Sequence, residues 1–189
     1  MKDEIIRKLP EPLNKYLCTL RKASLDDTNR VCMCESRLQV INFDKMPNEF
    51  SRGKGWAFVP KSNDALYIDD EQWFFIEFKN GNVDKADIYR KAYDSLIMLI
   101  EMGIIEDLEF PRRAINYILV YNAQKYSKVQ VSEARENMYN HFYELANLEE
   151  RLFEVDKFEG YLFHETHTYT KELFEKNFVS VMEQREQLE

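Results

Sequence analysis

A chain of 189 residues that is 44% hydrophobic, with five glycines and five prolines, has the composition of one ordered domain with a substantial core. Its formal charge of −8 excludes binding polyanions over the whole surface, so a phosphate-binding face would have to be local. No run approaches the roughly 20 apolar residues of a membrane span. The start, Met1 to Lys8, lacks the apolar segment of a secretion signal, and a cytoplasmic chain without a membrane partner is expected. Cys18, Cys32 and Cys34 are too few and odd in number for a disulfide framework. Cys32-x-Cys34 has no second pair at zinc-finger spacing, so reduced thiols in or near the core are expected.

In chain order, Leu9, Leu13, Tyr16, Leu17 and Leu20 recur at helical spacing, with Pro10 and Pro12 suited to a first turn. That predicts a helix from about Leu9 to Ser24, followed by a loop over 26–29. Leu38 to Phe43 reads as a strand, Pro47 to Gly55 as a loop, and Trp56 to Val59 as a further short strand. From Asp64 to Lys79 two β-rich runs flank a polar turn at Asp69 to Gln72, the pattern of a hairpin. Asn80-Gly81-Asn82 is a turn, and a helix follows from near Asp84, with Gly103 as its C-terminal cap. Its apolar stripe is read as Ala86, Tyr89, Tyr93, Leu96, Ile97 and Ile100. Ala114 to Tyr121 is an apolar strand, so strand, helix and strand make a crossover with parallel, adjacent strands. Beyond it, a helix is expected from about Ser132 to Phe153, a strand over Gly160 to His164, and a helix from about Thr170 to Gln187.

The hairpin carries the chemistry. With Asp70 and Glu71 as its two-residue loop, Gln72 faces Asp69 and Glu77 faces Asp64. Lys79 shares their side of the sheet because strand side chains alternate with period two. Two facing carboxylates repel and need a cation, which makes a divalent metal site a natural reading. The bland alternative is a cross-strand salt bridge worth about 1 kcal/mol or less.

An acid, a spacer and Glu-x-Lys on an apolar strand resemble the PD-(D/E)XK nuclease superfamily. The resemblance covers roughly residues 10 to 121, with Asn63, not proline, before Asp64. It implies an α/β fold with a restriction-endonuclease-like αβββαβ core, a central mixed sheet flanked by helices; the chain length fits a single domain, and the helical C-terminal elaboration over about 132–189 lies outside the resemblance. It also implies Mg²⁺ or Mn²⁺ held by Asp64, Glu77 and the backbone carbonyl of Phe78, with Lys79 positioning or activating water. The partner implied is nucleic acid, DNA in the first instance, with pairing of two copies allowed. Many members add an acid on the first helix, for which Glu11 and Glu35 are the candidates. Lys85, Tyr89 and Arg90 are candidates to touch substrate phosphate; some relatives carry Gln-x-x-x-Tyr there, where this chain has Lys85-x-x-x-Tyr89.

Two function classes therefore stand: a metal-dependent nuclease, and a non-catalytic binding or regulatory module on the same fold. Elsewhere, His164-Glu-Thr-His167 spaces two imidazoles three apart, which on a helix would suit zinc, but packing and capping are the expected roles.

Overall fold

In a computed structural model the described residues are 9–69, 72–123, 149 and 151–188. Among them, eight strands form two sheets. The main sheet is six-stranded and mixed, in the order β1 (Leu17–Thr19), β4 (Gln39–Asn42), β5 (Ala65–Ile68), β6 (Trp73–Lys79), β7 (Ile115–Tyr121), β8 (Thr166–Thr170). The first four of these strands pair antiparallel, while β6–β7 and β7–β8 are parallel. A small antiparallel pair, β2 (Leu25–Asp26) and β3 (Val31–Cys32), stands beside it.

Central β6 is apolar on both faces, as a strand covered on both sides requires. Phe75 packs edge-on against Phe43 at 5.1 Å and joins a core with Leu66, Ile88, Leu96, Leu99 and Leu119. Phe74 and Ile76 face the opposite core, with Leu20, Val40, Phe174 and Phe178. The long crossover helix thus covers one face and the C-terminal helix the other, and Glu77 and Lys79 share the face of Phe75.

The helices are α1 (Leu20–Ala23), α2 (Met46–Lys54), α3 (Lys85–Glu101), α4 (Glu109–Ala114), α5 (Lys171–Phe174) and α6 (Ser180–Leu188). A π-helical stretch, Glu175–Val179, joins the last two into the single C-terminal helix expected from about Thr170, and the Thr170 side chain caps its start. The crossover helix α3 begins and ends where the sequence indicates. The Asp84 side chain accepts from Ala86 N–H, and Gly103 takes the left-handed conformation at φ 69°.

Four expectations are corrected. Residues 9–24 do not form one helix: a 3-10 turn (Leu13–Tyr16), edge strand β1 and short α1 take their place. Leu17 to Thr19 pair with Gln39 to Ile41 of β4, so ladder bonds to that strand take the place of helical ones. The supposed loop from Pro47 is α2, with proline in its first turn and left-handed Gly55 as its stop. Trp56 to Val59 form no strand, and Trp56 wedges between Phe50 and Phe58, both at 5.2 Å. The strand placed at Gly160 to His164 lies instead at Thr166–Thr170. Most of the helix expected over 132–153 lies outside the described residues.

Candidate functional site

The register of the hairpin is the one the alternation implies. Ala65 pairs with Ile76 and Ile68 with Trp73, so one step further Asp64 stands opposite Glu77. Asp69 N–H bonds the Gln72 carbonyl at 3.0 Å to close the turn side. The two carboxylates converge on one point, and a side chain from α3 occupies it. Lys91 Nζ lies 2.7 Å from Glu77 Oε1 and 3.2 Å from Asp64 Oδ1. Lys79 Nζ lies 3.1 Å from the same Glu77 oxygen and 2.9 Å from Asp87 Oδ2. Lys61 Nζ completes the chain 3.4 Å from Asp87 Oδ1. Three carboxylates thus alternate with three ammonium groups, and the set is neutral.

Glu77 is fully buried, and its Oε2 has no hydrogen-bond partner among the described residues. Burial, and next the charge of Asp64, push its carboxyl up to about 7. Burial also raises Asp64, against Lys91 and the Phe78 N–H, which donates to Asp64 Oδ2 at 2.7 Å. The two amines feel the reverse balance: desolvation would lower them, but Glu77 and Asp64 hold Lys91 above its ordinary value, and Glu77 does the same for Lys79. Tyr117, on the same sheet face, carries a second buried oxygen without a partner among the described residues.

Asp64, Phe78, Lys79 and Lys91 open onto a cleft of about 600 Å³ that also takes in Lys22, Lys45, Asp26 and Asp44. One wall is β2 and the turn after it through Thr28, tied down by Asn80 Nδ2 donating to Asp26 Oδ2 at 2.7 Å, with Asn122 Nδ2 holding Asn80 Oδ1 at 2.8 Å. The Asn80 bond, with those from Asn29, draws the Asp26 carboxyl down to about 2. Four lysines (Lys22, Lys45, Lys79, Lys91) and four aspartates (Asp26, Asp27, Asp44, Asp64) line the cleft, so its formal charges balance.

Asp64, Glu77, Phe78 and Lys79 are therefore brought together. Lys85, Tyr89 and Arg90 are not among the residues lining the cleft. Lys85 pairs with Glu154, Tyr89 Oη donates to the Phe153 carbonyl at 3.0 Å, and Arg90 lies 3.4 Å from Asp94. Neither extra acid joins the cluster: exposed Glu11 accepts from Asn14, and exposed Glu35 pairs with Arg21 at 2.6 Å. Asp44 lines the cleft, and its negative charge raises the Asp64 carboxyl.

Lys91 and Asp87 were not legible as site residues because the stripe assigned to α3 was out of phase. Tyr93 and Ile97 are exposed, and the buried face runs through Ile88, Ala92, Ser95, Leu96 and Leu99. Lys91 sits three residues after Ile88 and four before Ser95, hence on that face. A lysine on the buried stripe was the available signal.

The two histidines part company. His167, on β8, lies 2.9 Å from Glu149 and 3.5 Å from Glu165, whereas His164 Nδ1 lies 3.3 Å from Asn116 Oδ1. The three cysteines are free thiols, Cys34 buried and pushed up to about 11 by desolvation. Among the described residues no group of three His, Cys, Asp or Glu side chains makes a metal shell, and no helix is long and apolar enough to cross a membrane. Compared with protein-family models, curated proteins and solved structures, the chain matches none.

Proposed function

We propose that the chain hydrolyses phosphodiester bonds of nucleic acid, DNA in the first instance, with Mg²⁺ or Mn²⁺ as cofactor. The observation that carries this reading is the convergence of Asp64 and Glu77 on a single cation position, with Lys79 on the same Glu77 oxygen. The antiparallel run β4–β5–β6, crossover by α3 and parallel β7 also follow the strand order that the PD-(D/E)XK resemblance implies. The leading helix of that pattern is replaced here by β1 and short turns.

The residues fit a small hard cation. The donors are all oxygen, Glu77 Oε2 is buried with no partner among the described residues, and the Lys91 ammonium already marks where positive charge is stabilised. Mg²⁺ keeps several waters and commonly takes one or two protein carboxylates together with substrate phosphate, so a shell without a third acid suits it. Asp64 and Glu77 would hold the ion, with the Phe78 carbonyl as the further oxygen. Once bound, the cation supplies a water of lowered pKa and a polarised phosphoryl oxygen.

The rest of the chemistry falls to the protein. Phe78 N–H fixes the Asp64 carboxylate, so one of its oxygens stays aimed at the cation position. Glu77 and Asp87 clamp the Lys79 ammonium from two sides and leave it facing the cleft. From there Lys79 would orient the attacking water and neutralise charge growing on the phosphate oxygens. Burial of the acids strengthens each of these interactions.

A second reading, a non-catalytic module on this sheet, draws on one observation: the three carboxylates and three ammonium groups balance without a metal. Melting curves separate the two. A cation bound only by the native state stabilises it by about 2.7 kcal/mol at a hundredfold excess over Kd, or about 5–10 °C for a chain of this size. Mn²⁺ is expected to give that rise in the parent and none in Asp64→Asn or Glu77→Gln. The same rise in all three would place the ion elsewhere and end the nuclease reading.

A further inference from the structure

Lys91 departs from the acid, acid and lysine set and is not needed for it, yet it makes the closest contact in the cluster. Its ammonium lies 2.7 Å from Glu77 Oε1 and 3.2 Å from Asp64 Oδ1, on a side chain only 14% exposed. That point is the one from which a cation would bind both carboxylates. An ammonium and a hard dication seek the same carboxylate oxygens, and one position cannot hold both. Charge balance leads to the same conclusion. Lys61 is half exposed, and the less exposed remainder, Asp64, Glu77 and Asp87 with Lys79 and Lys91, carries one net negative formal charge, so an added dication leaves one surplus positive charge in the cluster. One ammonium has to withdraw. Lys61 and Lys79 are held by Asp87, whereas both partners of Lys91 are the prospective ligands themselves. Lys91 also lines the cleft, so the freed ammonium can turn toward solvent, or toward a bound phosphate, without the helix moving.

We propose that Lys91 is the resident counter-ion of the Asp64–Glu77 pair, the group a divalent cation displaces on binding, and that its released ammonium moves into the cleft to meet the substrate phosphate. This rests on the metal reading above and gives it a regulatory consequence. The metal-free site is held assembled by its own lysine, and that lysine sets how much cation is needed to load it. The apparent affinity of the parent is lowered by the fraction of time Lys91 occupies the position.

Two measurements on the full chain test this, with Mn²⁺ alone as the probe. The first is lysine acetylation mapped by mass spectrometry on the parent, which needs no substitution. Lys91 is expected to be among the most protected lysines without metal and to gain reactivity severalfold on saturation with Mn²⁺, while Lys79 changes little. The second is calorimetric titration. Lys91→Met is expected to bind Mn²⁺ about tenfold tighter or more than the parent, because no internal competitor remains. Lys91→Gln, which keeps polar contacts without charge, is expected to do the same. Lys91 equally reactive with and without bound Mn²⁺, binding by both variants no tighter than the parent, or no binding by any of the three would overturn the proposal. Should the variants fail to fold, the acetylation map of the parent decides alone. Failure of the nuclease reading looks different: Mn²⁺ binds and exposes Lys91, but no nucleic acid is cut.

Discussion

Lys91→Met is expected to destabilise the metal-free protein by about 3–5 kcal/mol, the cost of leaving buried charge without its partner. For a chain of this length the melting temperature should fall by about 10 °C. The reason is specific to the geometry. Glu77 is fully buried and Asp64 half-buried, and they face one another across a strand pair, so without Lys91 only Lys79 remains to offset them, on the same Glu77 oxygen and shared with Asp87. The deficit should depend on pH. Burial and Asp64 already push the Glu77 carboxyl up to about 7, and Lys91 is one of the groups that restrain it. A carboxyl whose pKa rises on folding favours the folded state most below its unfolded value and loses that contribution as pH climbs through the folded one. Without Lys91 the folded value rises further. The unfolded value is common to both, so the gap should stay small up to pH ~7, open as pH climbs past the parent's folded value, and reach full size once pH exceeds the variant's higher one. The groups facing Glu77 that enter this balance are Asp64, Lys79 and Lys91, with Asp87 one step beyond Lys79. Parallel melting curves of parent and Lys91→Met across that range measure it, and a gap that shrinks as pH rises contradicts the account.

The second large effect is on rate. Lys79→Met keeps the apolar stem packed on the sheet but removes the ammonium that Glu77 and Asp87 aim at the cleft. Loss of a group that positions water and neutralises developing charge costs about 10²–10⁴-fold in rate. The expected result is a phosphodiesterase rate reduced by that factor in Mn²⁺, with the metal-dependent rise in melting temperature retained, because Lys79 is not among the proposed ligands. Activity retained while the melting curves match the parent would remove Lys79 from the chemistry. A lost rise in melting temperature would mean that the substitution had damaged the metal position and not the proton or phosphate step.

How far the sequence alone leads can be read from particular residues. The pairing of Asp64 with Glu77 was legible because strand side chains alternate strictly, and a two-residue turn leaves one register that buries Phe75 and Leu66 on the same side. The ends of α3 were legible from Asp84 and Gly103, residues whose backbone chemistry is local. Its facing was not, because apolar residues run nearly all round the helix. Tyr89, Tyr93 and Ile97 suggest one stripe and Ile88, Ala92 and Leu99 another, with Leu96 common to both, and only packing against β6 and β7 selects the second. Lys91 disappeared with that choice. Helix α2 shows the same limit in another form. Pro47 and Gly55 read as loop residues when taken singly, yet proline in a first turn and glycine after a last one are the ordinary brackets of a helix. Strand β8 was missed because Thr166 and Thr168 are buried polar residues, which give no apolar alternation to follow.

The measurement that bears most directly on the central claim is hydrolysis of four defined substrates, single- and double-stranded DNA and RNA, in Mn²⁺ and in chelator, by the parent and by Glu77→Gln purified identically. The account predicts cleavage of at least one substrate by the parent in Mn²⁺ only, with no cleavage by Glu77→Gln. The cut substrate would name the class, and DNA is the one expected. Equal cleavage by Glu77→Gln, or none of the four cut by a parent whose melting temperature Mn²⁺ raises, would contradict it and leave the charge network as a structural element of a binding module.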